Sequence, residues 1–99
     1  MRMLLKVEMD TAASNEAIRQ GSIPGLMQEA IARIRPEAAY FTVENGCRTG
    51  YFFFDLTESS DLPAIAEPFF MRLGAKIHYS PVMNPEELAQ GLSRLSGQT

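Results

Sequence analysis

The sequence predicts an α+β fold: a four-stranded antiparallel sheet, two amphipathic helices covering one of its faces, and a further helix at the C-terminus. Three observations predict it. The stretch AAYFTVENGCRTGYFFFDL, Ala38 to Leu56, sets two apolar runs on either side of Asn45-Gly46. Asn-Gly is the strongest short-range hairpin signal, because both residues tolerate the positive φ of a type I′ turn. Two other segments carry apolar residues at helical spacing, and the chain on either side of them alternates as strands do.

Met1 to Met9 reads as a strand. Met1, Met3, Leu5, Val7 and Met9 fall on one face and Arg2, Leu4, Lys6 and Glu8 on the other. The first set is purely apolar and is expected to meet the helices. A short helix follows, roughly Ala13 to Arg19, with Thr11 or Ser14 as its cap. Gly21-Ser22-Ile23-Pro24-Gly25 interrupts it; the segment lacks the preceding strand and the spacing of a dinucleotide loop. A second helix is expected to start there, with Ser22 as N-cap and Pro24 in the first turn. Its apolar stripe is Ile23, Leu26, Met27, Ala30, Ile31 and Ile34, the i, i+3, i+4 pattern of a one-sided helix. Arg33 and Arg35 suit the last turn, and Pro36 ends it.

The hairpin comes next. A two-residue turn sets Glu44 opposite Cys47, Thr42 opposite Thr49, Tyr40 opposite Tyr51 and Ala38 opposite Phe53, and opposed residues share a face. Thr57 to Asp61 is a polar loop. Leu62, Ile65, Ala66, Phe69, Phe70 and Leu73 form another helical stripe. Pro68 falls inside it and is expected to kink the helix or divide it after Glu67, and Gly74 is expected to cap it. Ala75 to Met83 is the last strand, limited by Pro81. Asn84-Pro85-Glu86-Glu87 opens a helix, with Leu88, Leu92 and Leu95 on its apolar side. Ser96 to Thr99 is expected to fray. The order β-α-β-β-α-β-α is a ferredoxin-like sandwich with an added helix. Right-handed crossovers put the first and third strands in the middle.

Composition narrows the partners. Ninety-nine residues make one domain, 1–99, and 45% hydrophobic with 21% charged residues is ordinary for a folded soluble protein. The net charge is −3, and the nine Lys and Arg are scattered. Nucleic acid and anionic membranes are therefore not expected partners. One Cys and one His argue against an internal disulfide or a structural zinc, and no metal site is expected. The opening MRMLLKVEMD lacks the features of a secretion signal, and no apolar stretch approaches a membrane span. A cytoplasmic protein is expected.

Two sheet faces need covers. The helices supply one. The other holds Leu4, Lys6, Glu8, Tyr40, Thr42, Tyr51, Phe53, Asp55, Lys76, His78 and Ser80. An exposed apolar patch of this kind is rare in a monomer, while a purely structural interface holds fewer ionisable groups. The mixture fits a partly enclosed cavity with a few polar groups. At this point the chain resembles the dimeric α+β-barrel superfamily, in which two such sheets pack face to face around a pocket. More narrowly, PEAAYFT, RTGYFFFD, AEPFF and SPVMNPEEL are similar to stretches of a family of small bacterial proteins of unknown function. The superfamily includes cofactor-independent monooxygenases, muconolactone isomerases and stress-responsive barrel proteins. The resemblance therefore implies a homodimer and, where there is chemistry, chemistry without a cofactor. Catalytic residues differ between its branches, so none is carried over by position.

His78 is the candidate acid or base, its ordinary pKa lying near neutrality, with Asp55 or Glu8 to orient it; the alternative is an ordinary polar residue on an edge strand. Lys6 and Glu8 point the same way and read either as a pocket acid–base pair or as partners in an intersubunit ion pair. Tyr40 and Tyr51 stabilise the hairpin as a cross-strand pair by about 0.2–1 kcal/mol, or stack on a planar ligand. Thr42 and Phe53 complete the candidate ligand surface. Asp55 is either a buried acid or a solvated strand end. Cys47 has nothing beside it to lower its pKa. Two functions follow from different classes: a homodimer binding a small aromatic or apolar organic molecule on the open sheet face, with proton transfer, isomerisation or oxygenation as its chemistry, or a dimerisation module with no ligand site.

Overall fold

A computed structural model describes residues 1–95, so the expectation for Ser96 to Thr99 lies outside the described residues. Four strands, β1 (Arg2–Glu8), β2 (Ala38–Glu44), β3 (Cys47–Asp55) and β4 (Lys76–Pro81), form one sheet in the order β2-β3-β1-β4. Every neighbouring pair is antiparallel, and the first and third strands are central, as the element order predicts. Among the described residues there are four α-helices: α1 (Thr11–Arg19), α2 (Ile23–Ile34), α3 (Leu62–Leu73) and α4 (Pro85–Leu95). A short 3-10 turn, Ser59–Asp61, leads into α3.

The hairpin has the expected register, Tyr40 against Tyr51 and Thr42 against Thr49. Its turn is the reason: Asn45 and Gly46 both have positive φ, 54° and 73°, the combination a type I′ turn requires. That register sends Phe52 and Phe54 to the helix face, where they are 0% and 2% exposed. Met3, Leu5, Val7 and Met9 join them, and Leu26, Ala30 and Ile34 of α2 and Ile65, Phe69 and Leu73 of α3 close the core. Gly50 is small for a reason: a Cβ there would lie 3.2 Å from both the Phe41 and Phe52 rings, which meet edge to face over it at 5.8 Å.

Several local expectations are corrected. Asp10, not Thr11 or Ser14, caps α1, accepting from the Ala13 N–H at 2.9 Å. Ser14 is buried instead, and its hydroxyl accepts from the Arg48 guanidinium at 2.6 Å. Ser22 stands at the N-cap of α2, yet its hydroxyl donates back to the Ala17 carbonyl of α1, tying the two helices together. Pro68 does not divide α3, which is one helix from Leu62 to Leu73. Its flanking residues Ile65, Ala66, Phe69 and Leu73 are all buried, and that burial outweighs one lost backbone hydrogen bond. The far side of the hairpin is less covered than alternation implies: Phe41 and Val43 are 56% and 70% exposed. β2 is an edge strand, and α2 buries its stripe over the central strands instead.

The C-terminal helix begins as predicted. Asn84 and Glu87 form a reciprocal capping box, Glu87 N–H to Asn84 Oδ1 at 2.8 Å and Asn84 N–H to Glu87 Oε1 at 3.0 Å. Its leucines are left largely uncovered by the described residues. Among the described residues of α4 none is buried, and Leu88, Leu92 and Leu95 are 46%, 55% and 83% exposed. The radius of gyration is 16.1 Å, against about 13 Å for a compact domain of this length. The molecule is accordingly long, 57 × 28 × 18 Å.

Candidate functional site

The open face is organised by strand register. Tyr40 pairs with Tyr51, Tyr51 with Lys6, and Lys6 with His78. These four residues therefore form one row across all four strands. A second row holds Ala38, Phe53, Leu4 and Ser80, and a third Thr42, Thr49, Glu8 and Lys76. The residues come from four strands because alternation gives each strand one side chain per row on this face.

A polar cluster joins the first row to Glu44, which pairs with Cys47 one row beyond the third. Glu44, the last residue of β2, accepts a hydrogen bond from the Tyr51 hydroxyl with one carboxylate oxygen and forms an ion pair with the Lys6 ammonium through the other. These contacts push the three groups apart in acidity. Glu44 is held below the ordinary carboxylate range by the Lys6 and Tyr51 donors. Lys6 is raised, chiefly by its bond to Glu44. Tyr51 is raised by donating to Glu44. Each shift has the same origin: a hydrogen bond stabilises the form that can make it. Thr49, next to Tyr51 on this face, is 1% exposed although it lies opposite the helices, and its hydroxyl donates to the Cys47 carbonyl at 3.0 Å.

The remaining candidates divide. His78 is exposed beside Lys6 and hydrogen-bonds to neither Asp55 nor Glu8 among the described residues. Glu8 is half-buried one row away, opposite Thr49 and Lys76. Tyr40 is 64% exposed on the edge strand, and Thr42 is exposed beside it. Phe53 is half-buried between Ala38 and Leu4. Asp55 is not brought to the others. It pairs in register with Arg2 at the far end of the sheet, and its side chain, 78% exposed, meets the Met1 ammonium at 2.8 Å. That row lies four residue steps along β1 from the row of His78, about 13 Å. Asp55 instead lies between two surface clefts of about 530 and 560 Å³, which also share Arg35.

Glu44 was not among the expected site residues, and Lys6 pairs with it rather than with Glu8. The signal lay in side-chain length. A glutamate at a strand end can reach back along its face to a lysine and a tyrosine, which matching opposed pairs alone does not reveal.

No group of three or more His, Cys, Asp or Glu among the described residues is placed to hold a metal ion. No helix among them is long and apolar enough to cross a membrane. Fold and face together define a small α+β protein carrying a hydrogen-bonded acid–base cluster on an uncovered sheet surface. No protein-family model matches the chain, and no curated protein sequence matches it.

Proposed function

We propose that the chain is a ferredoxin-like protomer of a homodimeric α+β barrel, which binds a small organic molecule with an aromatic or apolar body between the two open sheet faces. The observation that carries this is the row Tyr40–Tyr51–Lys6–His78 with Glu44 bound to two of its members. Tyr40 and Phe53 offer flat apolar surface. His78 contributes the imidazole of the row, a side chain able to take a proton from a bound ligand. The Lys6 ammonium beside it supplies the positive charge that an enolate or phenolate needs. Glu44 fixes Lys6 and Tyr51 in place. Proton abstraction next to a carbonyl, with the proton moving from ligand to His78, is the reaction this set supports without a cofactor. Asp55 has no part in it.

Titration of aromatic carboxylic acids and quinones, followed by amide NMR on the wild type and on His78→Ala, tests the assignment. Binding is expected to shift Lys6, Tyr40, Thr42, Tyr51 and His78 in the wild type, and to shift them less in the variant. Equal shifts in both proteins contradict the role given to His78. No shift with any of these compounds favours a face that only joins two subunits.

A further inference from the structure

α2 packs over the central strands, so β2 at the sheet edge is left partly uncovered on its helix side. A cleft of about 360 Å³ opens there, lined by Met9, Ile18, Ile23, Met27, Phe41 and Arg48 among others. That volume lies in the range of small-molecule sites. By alternation Phe41 and Arg48 project from the face opposite to Tyr40 and Tyr51, so the cleft is separate from the open sheet face. One wall is held in place. Gly50 has no side chain, so the Phe41 ring lies over it and meets Phe52 edge to face at 5.8 Å. Ile23 and Met27 stand four residues apart on one side of α2, and methionine adapts to irregular apolar shapes. Met9 is 6% exposed, whereas Ile18 and Phe41 are 51% and 56% exposed. The cleft thus has a buried base and an open rim.

Arg48 is the one charged group in that lining. Its Nη1 donates to the Ser14 hydroxyl at 2.6 Å and to Asn15 Oδ1 at 2.9 Å. Both acceptors are neutral. No carboxylate lies within ion-pair distance of it among the described residues. Its Nε and Nη2 make no hydrogen bond among those residues. A half-buried guanidinium without a counter-charge is costly, and its remaining donors suit a planar carboxylate.

We infer that this cleft binds a free alkyl carboxylate, its chain against Ile18, Ile23, Met27 and Phe41 and its head group on Arg48. Complementarity selects this ligand class. An alcohol of the same length fills the apolar part and leaves Arg48 without a counter-charge. A short carboxylate such as acetate neutralises Arg48 and leaves the apolar walls in water. Only a ligand with both parts satisfies both features of the cleft. The site does not depend on the homodimer or on the ligand proposed for the open face.

Amide NMR titrations with hexanoate, octanoate and 1-octanol, each below the concentration at which it aggregates, test the site. Octanoate is expected to shift Ile18, Ile23, Met27, Phe41 and Arg48. It is expected to bind roughly fifteenfold more tightly than hexanoate, since each buried methylene adds about fourfold, and at least tenfold more tightly than 1-octanol, which lacks the charge-assisted bond. Arg48→Gln is expected to weaken octanoate at least tenfold and leave 1-octanol unchanged. Ile18→Glu, at an exposed position, is expected to weaken octanoate by repulsion and leave the far-UV circular dichroism in place. If Arg48→Gln does not fold, Ile18→Glu and the comparison of octanoate with 1-octanol decide. Octanoate shifts confined to the Tyr40–His78 row, equal wild-type affinity for octanoate and 1-octanol, equal octanoate affinity in Ile18→Glu, or no octanoate binding overturns the site.

Discussion

At the scale of single residues, Glu44 is the hub of the open face: its two carboxylate oxygens hold the Tyr51 hydroxyl and the Lys6 ammonium. That arrangement fixes how stability should depend on pH. Glu44 is lowered, so its contribution is present above the ordinary carboxylate range and is lost as pH falls through its lowered value. Lys6 and Tyr51 are raised, so their contributions are present below their ordinary values and are lost as pH rises through the raised ones. Since Glu44 is the first cause of both rises, Glu44→Gln should flatten the acid and the alkaline limbs together. Thermal melts of the wild type and the variant across the pH range check this; an unchanged acid limb in the variant contradicts it. Tyr79 adds a separate alkaline contribution, because burial pushes its phenol up to about 12 while its hydroxyl donates to the Leu62 carbonyl at 2.9 Å.

At the scale of elements, the hairpin is the part of the fold most firmly determined by local chemistry. Gly46 stands at φ 73°, so Gly46→Ala should cost about 1 kcal/mol or more in urea unfolding, through left-handed backbone strain alone. Phe52 is fully buried between Phe41 and Phe69, and Phe52→Ala should cost about 3–5 kcal/mol. A loss below ~1 kcal/mol would mean that the core does not close around this ring. Much of this was legible in the sequence, because an Asn-Gly turn and strict alternation leave one register that buries Phe52 and Phe54. Caps and ties were less so. Asp10, Thr11, Ser14 and Ser22 are all chemically able to cap, and three-dimensional neighbours decided among them: Arg48 claimed Ser14, and the Ala17 carbonyl claimed Ser22. That α3 is not divided at Pro68 could not be read from the helix-breaking rule alone, which carries no information about the burial of Ile65 and Phe69 on either side. On the open face, the Tyr40–Tyr51 pair and the shared face were readable from the alternation, but the register that aligns Lys6 and His78 with them, and the meeting of Glu44 with Lys6, were not. That meeting depends on side chains lying along the strand rather than across it.

At the scale of the whole molecule, the central claim is that a second copy covers the sheet face bearing Leu4, Tyr40 and Phe53. Tyr40 is 64% exposed on that face, and Leu88, Leu92 and Leu95 of α4 are 46%, 55% and 83% exposed; a second copy would give such apolar groups a cover. Sedimentation equilibrium of the wild type and of Phe53→Asp is the most direct measurement. The expected result is a wild-type mass twice the 11.0 kDa of one chain, and a variant that sediments as a folded monomer or fails to stay in solution, because the new carboxylate is buried without a partner. A wild-type protein that remains at the mass of one chain at every concentration, or a Phe53→Asp variant that dimerises as tightly as the wild type, would contradict the account.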